Sequence, residues 1–385
     1  MKILHLSLNS LVMDGWTYQD NMLTKYHHKL GYEVTDVTSH WIFDDKGNMA
    51  IDPRKDYINQ DGVRMIRLDM IGREDYRRKI RKFKGLSDVL EESKPDYMFI
   101  HSVNFADITT VVRYLKNHRN VIAFADNHGD FSNTAKNWLS KNILHKVIWR
   151  YYSNKLVPYV KKFYGVLPAR VDFIKDMYHL PPQMCELLVM GADDEKIEAA
   201  QKKNARAEIR NQYGIKENDF LIMTGGKIDL AKTQTLLLME AVKSIQNQNL
   251  KLIVFGSVAS ELKDKVSELT DDERIQYIGW VQSDNSYDYF SAADLVVFPG
   301  RHSVFWEQVA GQGIPMVVKD WPGTHHIDLG GNVKFIENDS TEEIKAIIED
   351  IVNNPKNYSR MKSIAVEHGM KEFSYMDIAR RAISC

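Results

Sequence analysis

The fold class follows from residues 220–242, which read Phe220-Leu-Ile-Met-Thr-Gly-Gly-Lys-Ile-Asp-Leu-Ala-Lys-Thr-Gln-Thr-Leu-Leu-Leu-Met-Glu-Ala-Val242. A short apolar run ends at a Gly225-Gly226 pair, and a longer amphipathic run follows it. This order predicts a β-strand, a tight turn and a helix, which is the repeating piece of a βαβ unit. The stretch therefore indicates an α/β protein with parallel sheets.

The turn in this stretch also carries two cations, Lys227 and Lys232, just beyond the predicted strand. Backbone amides at Gly226 and at the helix start, together with two ammonium groups, can neutralise a diphosphate without a metal ion. Two solvated lysines beside an ordinary strand-to-helix turn are the alternative interpretation.

The same alternation of strand and helix signals extends in both directions along the chain. Further strands are predicted at 2–6, 33–38, 63–68, 97–101, 121–125 and 163–167, and in a second series at 252–255, 275–278, 295–298, 315–318 and 333–336. A charged helical stretch at 194–214 separates the two series. We expect two Rossmann-like domains facing each other across a cleft, with ligands at the carboxyl ends of the strands. The predicted domains are 1–195, to which a helix at about 366–385 returns, and 196–365.

Composition excludes several classes of protein. The 385 residues carry 51 Lys+Arg against 52 Asp+Glu, so a general basic field for nucleic acid is absent. Cys185 and Cys385 are the only cysteines, and no CxxC or Cys/His spacing for zinc occurs. No stretch of about 18 apolar residues predicts a membrane span. We expect a cytoplasmic protein, either free or peripheral at the inner face of the cell membrane.

A second informative stretch runs from Phe298 to Val318. A strand ends near Pro299, a short loop follows, and Glu307 falls in the first turns of the next helix. An acid there complements the helix dipole and is also suited to accept hydrogen bonds from ribose hydroxyls. The amides of Ser303, Val304 and Phe305 would then be available to an anion, while plain helix capping is the alternative.

Together these stretches resemble the nucleotide-sugar half of GT-B glycosyltransferases, most closely the retaining group called glycosyltransferase family 4. Lys227 and Lys232 keep the family's five-residue spacing of cations, and Glu307-Gln-Val-Ala-Gly-Gln-Gly-Ile-Pro315 is similar to its Glu-Ala-x-Ala-x-Gly-x-Pro helix. The resemblance implies that both lysines hold the donor diphosphate and that Glu307 binds ribose. Weaker matches, in chain order, are Lys94-Pro-Asp96, Met190-Gly-Ala-Asp193, Tyr277-Ile-Gly279 and Phe373-Ser-Tyr375.

The chain departs from the family pattern at two places. Pro299 stands where the family usually has a second acid, and the shortened loop offers His302 and Ser303 instead. His302 is a candidate for a sugar contact or an ordinary surface histidine. The family's N-terminal glycine pair is reduced to Gly15, which still allows backbone to approach the donor or the acceptor.

In the first predicted domain, Phe124-Ala-Asp-Asn-His-Gly-Asp130 resembles the family's His-Asp segment. The resemblance implies that His128 contacts the transferred sugar. The alternative is a loop histidine with Asp126 and Asp130 capping a helix. We expect no metal ion, because GT-B enzymes generally need none for the donor and the lysine pair supplies the positive charge.

Two basic, aromatic segments lie at 73–84 and 149–164. Such a surface would hold a lipid-linked acceptor against anionic phospholipid. A solvated helix face with core aromatic residues is the alternative, and no nucleic-acid motif accompanies either segment.

The sequence therefore predicts a glycosyltransferase, of the hexosyltransferase type, that moves a sugar from a UDP-sugar to a glycan or lipid-linked glycan in surface polysaccharide synthesis. His128, Lys227 and Lys232 are the catalytic candidates, transfer is expected to be retaining, and no cofactor is expected. The alternatives are an inverting GT-B transferase or epimerase and a non-catalytic GT-B subunit that binds nucleotide sugar. A dinucleotide-dependent oxidoreductase is disfavoured, because no G-x-G-x-x-G follows the first strand.

Overall fold

The computed structural model of the chain describes residues 1–44, 46–72, 81–230, 232–271 and 273–384. Residues 73–80, which include most of the predicted basic segment 73–84, lie outside the described residues. The chain forms two compact units. The first unit comprises Met1–Met190 and Tyr375–Cys385, and the second comprises Gly191–Ser374.

A mostly parallel sheet is the centre of the first unit. Its strands and those of a small hairpin are β1 Lys2–Ser7, β2 Glu33–Ser39, β3 Trp41–Phe43, β4 Met49–Ile51, β5 Asp56–Ile58, β6 Arg64–Leu68, β7 Tyr97–Ile100, β8 Ile122–Asn127, β9 Val160–Gly165 and β10 Cys185–Leu187. The sheet order is β10-β9-β8-β7-β1-β2-β6-β5, and β3 pairs with β4 separately. Neighbours in the sheet are parallel except β5 and β6. The carboxyl ends of β1, β7 and β8 therefore lie side by side.

Helices of the first unit follow its strands, as parallel connections require. They are α1 Gln19–Lys29, α2 Leu86–Ser93, α3 Ile108–Asn117, α4 Arg150–Leu156 and α5 Pro168–Tyr178. A π-helical segment, Ser140–Trp149, runs directly into α4. Helix α1 begins after the turn at Gly15, and Gly31, with φ of 87°, lies between α1 and β2 in a left-handed conformation that suits glycine.

The second unit is built on a sheet of six parallel strands. They are β11 Phe220–Gly225, β12 Leu250–Phe255, β13 Ile275–Tyr277, β14 Leu295–Phe298, β15 Met316–Lys319 and β16 Val333–Ile336, in the sheet order β13-β12-β11-β14-β15-β16. Its helices are α6 Asp194–Lys202, α7 Ala205–Gln212, α8 Gln234–Ser244, α9 Lys263–Leu269, α10 Ser286–Ser291, α11 Phe305–Gly311, α12 Thr341–Asn353, α13 Pro355–Ile364 and α14 Met370–Glu372. The π-helical segment Ala365–Gly369 joins α13 to α14. The predicted α/β class with Rossmann-like parallel sheets is confirmed.

Strand ends differ from the sequence-based expectation where local geometry intervenes. The strand predicted at 163–167 is β9, which ends at Gly165 because Pro168 opens α5 after Leu167. Proline at the first position of a helix is favourable, since its missing N–H has no helical partner to lose. The short strands β3, β4, β5 and β10 have three residues each, too few for a period to be visible in the sequence.

The last helix, α15 Tyr375–Ala382, belongs to the first unit. The ring of Tyr375 stacks on Tyr26 of α1 with centroids 6.1 Å apart. The backbone of α15 is held by a hydrogen bond as well, in which the hydroxyl of Tyr164 donates to the carbonyl of Arg381 at 3.3 Å. Both contacts are buried or part-buried, so the terminal helix is part of the first unit's packing.

The Gly225-Gly226 turn lies against the end of β12 with little space to spare. A Cβ atom on Gly225 would lie 2.3 Å from the ring of Phe255, and one on Gly256 would lie 1.8 Å from the carbonyl oxygen of Gly226. Gly256 also has a φ of 129°, which other residues rarely adopt. The backbone at Gly226, after β11, can therefore take its observed path only because residue 256, directly after β12, is glycine.

We expect Gly256→Ala to lower the unfolding free energy by roughly 3 kcal/mol or more, since backbone must move to remove the overlap. The matched control is Gly214→Ala in the same unit. Gly214 has a φ of 66° but nothing within 4 Å of the added Cβ, so only the conformational cost of about 1 kcal/mol is expected there. Unfolding in urea measures both, and equal losses would contradict the steric explanation.

Candidate active-site residues in each unit

In the second unit, the loops after β11 and β14 are neighbours because the two strands are paired in the sheet. Lys227 and Lys232 follow β11, whereas α11 follows β14. Phe255, at the end of β12, contacts both regions: it packs on Gly225, and its ring centroid is 6.3 Å from that of Phe305. The candidate residues from the two stretches are thus held at one edge of one sheet.

The two lysines are accessible to a ligand. The side chain of Lys227 is 63% exposed, and its Nζ lies 3.1 Å from Asp229 Oδ2. Lys232 is also exposed. An exposed ion pair contributes little stability, so Lys227 is able to exchange Asp229 for a phosphate oxygen at small cost.

Glu307 is fully buried and is held by two histidines. Its Oε1 accepts hydrogen bonds from His302 Nε2 at 2.7 Å and from His326 Nε2 at 3.0 Å. Burial alone would raise the pKa of Glu307, but the two imidazole rings outweigh burial and hold it at about 2. Its Oε2 is buried without a hydrogen-bond partner among the described residues. A ribose hydroxyl would reach that oxygen only after neighbouring atoms move.

The structure gives His302 a different neighbour from the one expected. The sequence suggested a sugar contact or a surface position, but the His302 side chain is only 10% exposed and bonds Glu307. Its ring also stands edge-on to Trp306, with centroids 5.0 Å apart. The sugar contact stays a prediction, and the contact present is with the acid.

His326 was missed by the sequence analysis. It lies in the turn His325–Ile327, which follows β15, the strand next to β14. One sequence signal could have indicated His326. It lies beyond the carboxyl end of the predicted strand 315–318, and the strand before that one, 295–298, leads to Glu307. Histidines are common in such connections, so this position alone did not single it out.

The start of α11 leaves backbone donors available. Val304 is the cap residue, and the amides of Trp306 and Gln308 already donate to Ser303 and Val304. Within the ranges that the structure describes, the amides of Ser303, Val304 and Phe305 have no backbone acceptor. The binding of an anion by these three amides stays a prediction.

In the first unit, His128 lies with two carboxylates beyond the ends of the central strands. Its Nε2 is 3.3 Å from Asp126 Oδ2 and 3.7 Å from Asp20 Oδ1, while its side chain is 31% exposed. Asp126 does not cap a helix, because its Oδ1 accepts the amide of Ser102 at 2.8 Å. Asp130, in contrast, accepts the amide of Ser132 and stabilises a local turn.

A relay of three buried histidines, His27, His5 and His101, leads to Asp126. His27 Nε2 donates to the carbonyl of Ala379 in α15, and His27 Nδ1 pairs with His5 Nε2. His5 Nδ1 pairs with His101 Nε2, and His101 Nδ1 pairs with Asp126 Oδ2. All four distances are 2.9 Å. The sequence analysis missed these histidines, which come together only through the pairing of β1 with β7 and the packing of α1.

The charges in this group are unevenly distributed. Burial lowers the pKa of His5, and it lowers that of His27 to about 4. Burial would also lower the pKa of His101, but Asp126 and Asp20 outweigh it and raise the value to about 9. Burial would raise the pKa of Asp126, yet the rings of His128 and His101 lower it well below its ordinary value. Positive charge is therefore favoured at the Asp126 end.

Gly15 also belongs to the first unit. It has a φ of 81° in the turn before α1, where the amide of Trp16 donates to the carbonyl of Met13. The adjacent Asp14 is paired with Arg54 at 3.0 Å. The structure thus groups Gly15 with the unit of His128, and the lysines and Glu307 with the second unit.

Among the residues that the structure describes, two side-chain groups offer metal-ligand atoms within 4.8 Å of one another: Asp20, His101, Asp126 and His128 in the first unit, and His302, Glu307 and His326 in the second. In the second group, both contacts to Glu307 have ordinary hydrogen-bond lengths. Protons on the histidines satisfy those contacts without an ion.

Comparison with known families gives a match that lies within the second unit. Residues 205–368 match the family model described as Glycosyl transferases group 1. The expected resemblance to GT-B glycosyltransferases is confirmed, and the chain has their fold. The closer resemblance to glycosyltransferase family 4 stays a prediction.

Particular proteins resemble the chain at low identity. An uncharacterized glycosyltransferase of Methanocaldococcus jannaschii is 20% identical over 39% of the chain and 40% of its own length. Mannosylfructose-phosphate synthase of Agrobacterium fabrum is 20% identical over 56% of the chain and 50% of its own length. The chain therefore spans half or less of the length of these curated relatives.

Among solved structures, Anabaena HepE in complex with UDP has a TM-score of 0.67 at 15% identity, covering 99% of the chain and 98% of HepE. The same protein in complex with UDP-glucose has a TM-score of 0.63. At this identity the likeness shows the fold.

We expect acid to destabilise the second unit through Glu307. Its pKa is held at about 2 against an ordinary value of 4.5, so the stability gained from its ionised form is complete above the ordinary value and is lost as the pH falls towards 2. Over that interval the wild type should lose roughly 3 kcal/mol more unfolding free energy than Glu307→Gln. Glu198→Gln, which changes an exposed acid of α6, should behave as the wild type. Identical acid profiles for all three proteins, measured by urea unfolding at each pH, would argue against a stabilising ionised Glu307.

Proposed function

We propose that the chain is a glycosyltransferase that moves a hexosyl group from a UDP-sugar to an acceptor hydroxyl. The observation that carries this proposal is the placement of two exposed lysines, Lys227 and Lys232, beside the helix of Glu307. This edge lies within the stretch that matches the Glycosyl transferases group 1 family. The complexes of HepE with UDP and UDP-glucose support uracil as the base of the donor nucleotide.

The lysines are suited to the leaving group of such a reaction. Negative charge builds on the diphosphate as the glycosidic bond breaks, and fixed positive charge stabilises it most in the transition state. Since two ammonium groups supply this charge, we propose that the donor diphosphate needs no metal ion. Glu307 would bind ribose through Oε2, the oxygen that has no partner among the described residues.

On the acceptor side, we assign His128 to the transferred sugar. Its ring is partly exposed, while Asp126 beneath it is fully buried, so the carboxylate orients the ring. The resemblance to glycosyltransferase family 4 favours transfer with retention, in which the leaving phosphate oxygen acts as the base and no protein nucleophile is required. The anomeric configuration of the first product, read by proton NMR, distinguishes retention from inversion.

The lysine assignment predicts a specific loss of donor affinity and turnover. Lys232→Ala removes a charged contact to phosphate, so binding of UDP should weaken roughly 10- to 100-fold in isothermal titration calorimetry. Lys216→Ala is the matched control, because this exposed lysine precedes β11 at the opposite end of the same strand. GDP and ADP test the base, and EDTA should leave UDP binding unchanged. An unchanged affinity for UDP in Lys232→Ala would contradict the assignment of this lysine to the diphosphate. UDP binding without sugar transfer would favour the alternative of a non-catalytic subunit.

We further propose that the first unit lies on an anionic membrane surface during surface polysaccharide synthesis. None of the helices in the described part of the chain combines the length and apolarity that a bilayer span requires. Instead, exposed apolar side chains line one stretch: Trp138 71%, Leu139 64%, Ile143 42%, Val147 59% and Tyr151 59%. We call this stretch the apolar stripe. A single exposed stripe of this kind on a soluble unit is typical of an interaction surface.

Lysines accompany the apolar stripe, which suits an anionic bilayer better than a neutral partner. Lys136, Lys141 and Lys146 are exposed along it, and Lys155 Nζ lies 4.6 Å from the ring centroid of Tyr151. This surface overlaps only the beginning of the segment predicted at 149–164. Trp149 is 3% exposed and packs in the core, so it has no access to lipid.

The apolar stripe can be tested against an equally exposed tryptophan elsewhere. Trp138 and Trp280 are both 71% exposed, and Trp280 lies in the second unit. Trp138→Ser should reduce sedimentation with phosphatidylglycerol-containing vesicles roughly tenfold, whereas Trp280→Ser should not. Binding should also weaken with added salt. Equal behaviour of both variants, or no vesicle binding by the wild type, would contradict a membrane role for the stripe.

A further inference from the structure

The histidine relay in the first unit needs one positive charge beyond three neutral rings. Its four contacts of 2.9 Å join three rings to two ends, the carbonyl of Ala379 and the carboxylate of Asp126. Both ends are acceptors, so four donated hydrogens are needed. Three neutral imidazole rings carry three. One additional positive charge, a proton or a metal ion, is therefore required along the relay.

The end of the relay at Asp126 is where further ligand atoms converge. His101 Nδ1 is 2.9 Å from Asp126 Oδ2 and 3.4 Å from Asp20 Oδ1. His128 Nε2 is 3.3 Å from Asp126 Oδ2 and 3.7 Å from Asp20 Oδ1. Only the first of these four distances is that of a good hydrogen bond. A proton on His101 would satisfy that contact and leave the other three long.

A metal ion accounts for all four distances together. With metal–ligand bonds of about 2.0–2.1 Å to nitrogen and oxygen, the edges of a tetrahedral site are about 3.3 Å long. The observed separations, from 2.9 to 3.7 Å, lie on both sides of that edge length. Two carboxylates and two neutral imidazoles also balance a divalent cation without net charge.

Outer contacts orient three of these four ligands, as is usual around metal ions. The second nitrogen of His101 bonds to the relay through His5. The remaining oxygen of Asp126 accepts the amide of Ser102, whose φ of 73° is uncommon for a residue other than glycine. The remaining oxygen of Asp20 accepts the hydroxyl of Ser10. Oδ2 of Asp126, Nδ1 of His101 and Oδ1 of Asp20 are thereby held within 4.8 Å of one another.

We propose that Asp20, His101, Asp126 and His128 bind one divalent transition-metal ion, with zinc the best match to two nitrogen and two oxygen ligands. The expectation of no metal concerned the donor diphosphate, whereas this site is built from the first unit alone. Entry is open on the side of His128, whose ring is 31% exposed while the other three ligands are buried. The site shares His128 with the proposed sugar contact, but zinc binding itself does not require transferase activity.

The test uses the full chain, without an affinity tag, stripped of metal with dipicolinate and then titrated with zinc sulfate. Elemental analysis should find one zinc ion per chain after dialysis. Cobalt(II) in its place should give the intense visible d–d bands of a tetrahedral site. His128→Gln, a partly exposed position where a change should not disturb folding, should weaken zinc binding at least tenfold.

The matched control is His326→Gln, because the second unit offers a histidine–carboxylate group whose contacts protons already satisfy. It should keep one zinc ion per chain and the cobalt spectrum. Folded wild-type protein that takes up no stoichiometric zinc would overturn the inference and leave the extra charge to a proton. Unchanged zinc affinity in His128→Gln would also overturn it. UDP binding by the lysine variants tests the transferase proposal separately, so the two failures are distinguishable.

Discussion

The need to compensate a buried carboxylate governs the candidate sites of both units. Asp126 and Glu307 are each 0% exposed, and an unpaired charge at such depth would cost several kcal/mol. Each is paired with two histidines from different loops: His101 and His128 in the first unit, His302 and His326 in the second. Because the histidines come from connections after neighbouring parallel strands, pairing the charge also fixes the relative positions of those loops.

The two groups solve the same electrostatic problem with different geometry. Around Glu307, two hydrogen bonds of ordinary length meet one oxygen, and the second oxygen is left without a described partner. Around Asp126, one contact is short, the others are longer, and a second carboxylate, Asp20, joins the group. Protons on His302 and His326 account for both contacts of the Glu307 group. The Asp126 group contains one more carboxylate than hydrogen bonding explains, which is the physical reason for treating the two groups differently.

How much of this could be predicted from the sequence depends on the range of the interaction. The strands β1, β11 and β14 were predictable nearly to the residue, since a buried parallel strand is a continuous apolar run. The positions of Lys227 and Lys232 beyond β11, and of Glu307 in the helix after β14, were predictable because each follows such a run along the chain, while their roles stay predictions. The relay was not, since His5 and His101 are 96 positions apart and meet only through the pairing of β1 with β7. The burial of Glu307 was likewise not predictable from the sequence. Its charge is compensated in part by His326, which lies in the connection after β15.

Exposure separates the roles that the second unit's residues can take in binding an anionic ligand. Lys227 and Lys232 are exposed, so they meet a phosphate without losing buried contacts. Glu307 is fully buried, and its Oε1 is occupied by two histidines. Any hydroxyl that bonds to it must displace or rearrange atoms around it, and the free energy for that change must come from contacts made elsewhere on the ligand. In this structure an anion can therefore reach Lys227 and Lys232 without rearrangement, whereas a hydroxyl group can reach Glu307 only if atoms around it move.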